Sequence, residues 1–205
     1  NPLIPLWRST RDKAIFPFLA IWFAFTLAFS SFQSIIALIF ADVYGLSAFI
    51  IGLIISGQGL LMALNQMIGL RSFWLKQFRA REIIVNFILI FAFGYLCLSS
   101  GYFVFFMAGY FLLAFLNPVW RVVLSSEVAG RAEAHRRGEV MGTMASIASL
   151  GMIFGPMIAG SLGRLSIFAP FWLNATLMFA FYFYFRFGGV KIGQIKKEEA
   201  VNVIG

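Results

Sequence analysis

The chain has 205 residues, of which 61% are apolar, 18% aromatic and only 12% charged, and its formal net charge is +8. A soluble domain of this length cannot hide so large an apolar fraction in one core, so an ordinary globular protein is excluded. A lipid bilayer removes the difficulty, and the chain reads as an all-α, polytopic membrane protein.

Six apolar stretches follow one another, over residues 14–41, 48–70, 83–99, 102–120, 139–162 and 167–187, with 188–205 left as a tail. A helix needs about 20 residues at about 1.5 Å each to cross the hydrocarbon core, so each stretch is expected to span. Ser99, Ser100 and Gly101 form a turn signal that splits one long apolar run into a helical hairpin. Asp42, Glu82, Glu127 and Glu139 stand at segment ends, which leaves no carboxylate expected deep within a span. The helices make one bundle, divisible into two inverted repeats of three.

The basic residues alternate with the spans. Arg8, Arg11, Lys13, Arg71, Lys76, Arg79, Arg81, Arg121, Arg131, Arg136, Arg137, Arg186, Lys191, Lys196 and Lys197 fall on one side, and Arg164 alone on the other. The positive-inside rule then puts both termini and the tail in the cytoplasm, with the bundle in the plasma membrane. Charge spread over short flanking loops fits anionic headgroups, and no nucleic acid is expected as a partner. The segment from Arg121 to Gly138 reads as a loop long enough to dock a partner protein. Cys97 has no intrachain partner for a disulfide. The Asn174, Ala175, Thr176 sequon lies within the sixth span, beyond reach of glycosylation. The first apolar run is too long for a signal-peptide core, and a chain opening on Asn1 reads as a piece of a longer protein.

Polar side chains inside spans are costly, so they are the default candidates for a solute pathway. Gln33 lies on the first helix beside Ser30 and Ser34; Gln58, Asn65 and Gln66 share a face of the second; Tyr110 and Asn117 share a face of the fourth. The bland alternative for each is a hydrogen bond between helices, worth about 0.6 kcal/mol on average. No buried Ser–His pair, Asp pair or His cluster is present in the spans, so neither an intramembrane protease nor a metal site is expected, and no cofactor is implied.

Shifting residues 48–70 by ninety positions aligns Gly52 with Gly142, Ser56 with Ser146, Met62 with Met152, Met67 with Met157 and Ile68 with Ile158. About two matches are expected by chance in so biased a composition. The fifth span carries Gly142, Gly151, Gly155, Pro156 and Gly160 in the pattern G-x8-G-x3-G-P-x2-A-G. Gly151, Gly155 and Ala159 recur at every fourth position and make a smooth face for close helix packing. Pro156 removes a backbone hydrogen bond and predicts a kink.

That pattern resembles the antiporter motif of the major facilitator superfamily, and other segments are similar to the same family. Gly69 followed by Arg71, Lys76, Phe78, Arg79 and Arg81 resembles the family's basic loop without its acidic residue and second glycine. Tyr44 to Ser47 with Gly52 resembles the lead into a second helix, and Arg137, Gly138, Met141 and Gly142 the entry to a fifth. The resemblance implies one six-helix half of a secondary transporter, similar to the drug-efflux branch, with the other half and a small solute as partners. The antiporter motif is typical of the family's first half, whereas a degraded basic loop and a fourth span without an internal arginine point to the C-terminal half, which is the preferred reading of the two. The other readings are a nontransporting scaffold, an inactive truncated half, or the membrane subunit of a multi-component transporter.

Overall fold

A computed structural model describes residues 12, 14–74 and 77–188, with the side chains of 70–72 and 134 left aside. All regular structure among these residues is helical. Helix α1 runs Phe16–Leu38 and continues as a π-helical turn, Ile39–Val43; α2 runs Ala48–Leu64 and continues as a π-helical stretch, Asn65–Trp74. Helix α3 is Ala80–Ser99, α4 Phe103–Arg131, α5 Arg137–Gly163 and α6 Ala169–Phe187. The first five are long and apolar enough to cross a membrane. Helix α6 is long but less apolar, because Asn174, Tyr182, Tyr184 and Arg186 dilute its phenylalanines.

The helix ends follow ordinary capping chemistry. The Ser47 hydroxyl accepts from the Ile50 amide at the start of α2. At the start of α3, Glu82 accepts from the Arg79 backbone N–H at 3.0 Å. The α1–α2 and α3–α4 turns each use a glycine at positive φ, Gly45 and Gly101, where a side chain would be strained. Tyr44 ties them together, its hydroxyl donating to the Gly101 carbonyl at 3.2 Å. Burial raises its pKa, so it stays a neutral donor.

Several boundaries differ from the sequence reading by one to four residues and one by eleven, and two of the differences have a clear physical reason. Helix α3 starts at Ala80 rather than at 83, because the capping contact recruits the first charged turn. Helix α4 continues eleven residues past Trp120, to Arg131, where a loop was expected. The charges that marked Arg121 and Glu127 as loop residues are accommodated on a helix packed against α1, and only Ala132–Arg136 remains to connect α4 with α5. The expected partner-docking loop is not there. Glu127, expected at a solvated end, is 3% exposed. Its carboxylate takes two bonds from the Arg131 guanidinium, at 2.6 and 3.1 Å, and Arg131 also donates to the Ala14 carbonyl and covers the Phe18 ring.

Helix directions can be read from paired residues. On α1 and α5, the Trp22 indole donates to the Met144 carbonyl and the Ser30 hydroxyl to the Met152 carbonyl, eight residues on in both helices, so the two are parallel. Phe18 meets Phe185 and Phe32 meets Phe171, so α6 is antiparallel to α1 and the last turn of α6 sits beside the first turn of α1. Trp22 with Trp120 and Phe40 with Phe106 make α4 antiparallel to α1 as well. A layer of large side chains, Phe25, Phe91 and Trp120 among them, fills the centre.

Small residues set the closest approaches. A Cβ on Gly155 would lie 2.8–2.9 Å from the Ser30 Cβ and the Leu27–Ser31 backbone, and one on Gly151 would meet Thr26 and Leu27. Between α3 and α4, a Cβ on Gly109 would fall 2.6 Å from the Gly94 carbonyl. Gly155→Val is therefore expected to cost roughly 1–3 kcal/mol through overpacking. Gly142→Val and Gly160→Val, whose Cβ atoms meet nothing, are expected to stay near wild type. Thermal unfolding of the purified protein in detergent measures the difference, and equal effects at the three positions would contradict the seam.

Candidate functional site

Polar groups inside the bundle concentrate where α2 meets α4. Helix α2 buries only Gln58 among its seventeen residues, and the next buried position is Asn65, seven residues on. Both face α4. The Tyr110 hydroxyl donates to the Gln58 side-chain carbonyl, and the Asn65 amide donates to the Phe115 carbonyl. The Asn65 oxygen in turn accepts from the Trp74 indole at 3.0 Å. Gly69 leaves the space that the Asn65 side chain occupies, since a Cβ there would collide with it. The π-helical stretch begins at Asn65, so the wider turn and this polar contact coincide. Helix α2 is thus attached by hydrogen bonds, whereas α1 and α5 are joined by close backbone packing.

Asn117 lies two turns beyond Tyr110 on α4, 1% exposed, and neither atom of its amide has a partner. The Gln58 Nε2 is likewise buried without a partner. Gln66 and Gln33 are exposed, away from these contacts. The structure therefore brings Gln58, Asn65, Tyr110 and Asn117 to one side of α4 and leaves Gln33 and Gln66 on open helix faces. Asn174, on α6, is fully buried and donates to the Ala28 carbonyl at 3.1 Å.

In α5, Gly151, Gly155 and Ala159 are buried against α1, while Gly142, Pro156 and Gly160 are exposed. Pro156 has no N–H for the Met152 carbonyl four residues earlier, and the Ser30 hydroxyl of α1 donates to that carbonyl at 3.2 Å. Helix α5 stays continuous through Pro156. Of the basic loop, Arg79 caps α3, Arg81 is exposed in its first turn, the backbone of Arg71 is π-helical, and Lys76 lies outside the described residues.

The residue that sequence reasoning missed is Arg121. The reading placed it in a loop because it follows the apolar run, yet it sits within α4, half-buried, with its guanidinium 5.5 Å from the centre of the Trp22 ring. Its spacing from Tyr110 and Asn117, at i+11 and i+4, was the available signal. No group of three or more His, Cys, Asp or Glu able to hold a metal occurs among the described residues. A groove of about 350 Å³ lies between α1 and α6, lined by Phe16, Pro17, Ala20, Ala180, Phe181 and Tyr184, and is apolar and remote from the polar cluster.

Residues 2–201 match the family model of the Major Facilitator Superfamily. The chain belongs to that superfamily. As a superfamily member it is a multi-pass membrane protein, and a solved structure has the same fold. The crystal structure of the human organic anion transporter MFSD10 (TETRAN) superposes with a TM-score of 0.76 at 21% identity over 90% of this chain. The match covers 46% of the human protein, so the chain spans about half its length. No curated protein matches the chain.

Breaking the α2–α4 contacts tests their role. Tyr110→Phe and Gln58→Leu are each expected to destabilise the bundle by about 0.6–1.7 kcal/mol, the range for hydrogen bonds between membrane helices. The double variant is expected to lose less than the two losses added, because both remove one bond. Chemical unfolding in mixed micelles provides the cycle, and strict additivity would show that the two side chains do not interact.

Proposed function

We propose that the chain is one six-helix half of a secondary transporter that moves a small solute across the plasma membrane by alternating access. The narrower reading is efflux of a drug or metabolite by exchange, with both ends of the chain cytoplasmic. The observation that carries it is the open surface of α2 and α5. Helix α5 buries only eight of its 27 residues, all on the strip facing α1 or its flanks, and α2 buries one of seventeen. Phe49, Leu53, Leu60, Met152, Ile153 and Met157 are exposed on those faces. Each of the five identical pairs in the ninety-position repeat, from Gly52 with Gly142 to Ile68 with Ile158, stands on the uncovered or half-covered side of its helix. Two similar open faces on one half suit a second half placed against both.

An inverted repeat of α1–α3 on α4–α6 has the same support. Exchanging α1 with α4, α2 with α5 and α3 with α6 converts the α1–α5 seam into the α4–α2 seam and the α3–α4 contact into the α6–α1 contact, all of which occur. Basic residues gather at the bundle end where α1 begins and α6 ends, as expected for the cytoplasmic side. The assignment to the C-terminal half now rests on the departures in the basic loop alone, because Arg121 lies inside α4. An organic anion, the class named for the matched human protein, falls within the solutes proposed.

Reconstituted in liposomes, the full-length native chain is expected to show gradient-driven solute flux, and absence of flux under every ion or solute gradient would end the transport reading. Gln33→Ala, on an open face of α1, is expected to lower flux several-fold with membrane insertion unchanged. A parallel fall in insertion, measured as membrane-fraction yield, would make Gln33 a packing residue.

A further inference from the structure

Arg121 is a charged side chain within the α4 span. It sits eighteen residues after α4 begins at Phe103 and ten before it ends at Arg131; at about 1.5 Å per residue the helix is about 43 Å long, so its last turns leave a hydrocarbon core of about 30 Å and Arg121 lies toward the Arg131 side of that core. An arginine within a spanning helix faces protein or a water-filled cavity and is by default a candidate for the path of a ligand or ion. No described carboxylate lies within ion-pair distance of its guanidinium. The Trp22 ring face beneath it offsets part of the charge but supplies no acceptor for five N–H donors. Trp22 is itself fixed, by its bond to the Met144 carbonyl and its stacking on Trp120 at 12°, so the guanidinium rests on an immobile platform.

A second observation points the same way. Positions 110, 114, 117 and 121 form one stripe of α4. One turn from Arg121 on that stripe is the Asn117 amide, buried with both polar atoms unpartnered; the unpartnered Gln58 Nε2 lies farther along, at the level of Tyr110. Buried amides left without partners are uncommon in native proteins and call for a specific explanation. A cation with a buried amide donor one turn away, among side chains otherwise apolar and aromatic, suits a planar anion on an apolar body. The guanidinium fork matches two oxygens of a carboxylate or sulfonate.

The geometry points to Arg121 as the anion-binding residue of the solute pathway, holding the carboxylate or sulfonate of an amphipathic aryl solute, with Asn117 Nδ2 as a second donor; this rests on the transport reading. The same chemistry could be supplied by a lipid phosphate reached from the cytoplasmic surface, and the test separates the two.

The test uses the full-length native chain in nanodiscs of neutral phosphatidylcholine, with binding of radiolabelled 2-naphthoate, 2-naphthalenesulfonate and the neutral 2-naphthamide read directly. Arg121→Gln is expected to weaken binding of the two anions at least tenfold and that of naphthamide less than twofold. Arg121→Lys, which keeps the charge without the fork, is expected to fall between. Asn117→Asp, which sets a negative charge one turn away, is expected to weaken anion binding about tenfold, and it decides the matter if Arg121→Gln does not fold. Failure of the wild type to bind either anion, equal loss for anion and amide, or no change in any variant would overturn the proposal. So would an effect of Arg121→Gln seen only when phosphatidylglycerol is added, since that would make the lipid headgroup the partner. Binding is read without transport: anion binding without flux would sink the transport reading and leave the site, whereas flux of a neutral solute without anion binding would do the reverse.

Discussion

The fold depends on how closely α5 lies on α1. In lipid there is no hydrophobic drive to bring two apolar helices together, so association must come from van der Waals packing and a few hydrogen bonds. Gly151 and Gly155 let the α5 backbone reach that of α1, and the Trp22 and Ser30 bonds lock the register at Met144 and Met152. The second bond uses the carbonyl freed by Pro156, so the proline that weakens α5 internally also supplies its contact with α1. Once α1 and α5 are parallel neighbours, α4 and α6 must pack antiparallel to α1, and the aromatic layer around Trp120 fills what lies between.

Helix α2 is held by other means. Its buried side is two amides, Gln58 and Asn65, which meet the Tyr110 hydroxyl and the Phe115 carbonyl of α4, rather than a small-residue seam, and most of its surface is uncovered. Hydrogen bonds of this kind are individually weak and have definite geometry, so they can break and re-form singly where a dry glycine seam cannot. The half therefore combines one pair joined by close backbone packing, α1 with α5, and one joined by side-chain hydrogen bonds, α2 with α4. That difference places adjustable contacts beside the polar stripe of α4.

Much of this was legible in the sequence. Apolar length revealed all six helices, and glycine spacing in α5 predicted which face packs, because both signals are local. The reading failed where charge was taken as a boundary. Arg121 and Glu127 looked like loop residues. Arg121 rests on Trp22, a partner remote in sequence, whereas Glu127 pairs with Arg131 at i,i+4, a spacing that itself signals a helix continuing past Trp120. Of the polar candidates, the sequence could show that Gln58 and Asn65 share a face. It could not show that this face is the only one α2 buries, since that depends on α4. Gln33 and Gln66 have the same residue type as Gln58 and a different placement, which only the packing reveals.

Alternating access, as proposed, requires this half to move as one body against a second. Pulsed electron–electron distance measurement on the full-length chain tests this directly, with one spin-label pair at Ala14 and Met141, at the same end of the α1–α5 pair, and another from Met152 to a site in the remaining half. On addition of transported solute, the first distance is predicted to stay constant while the second shifts by several ångströms. A change in the Ala14–Met141 distance as large as that between the halves would contradict the account.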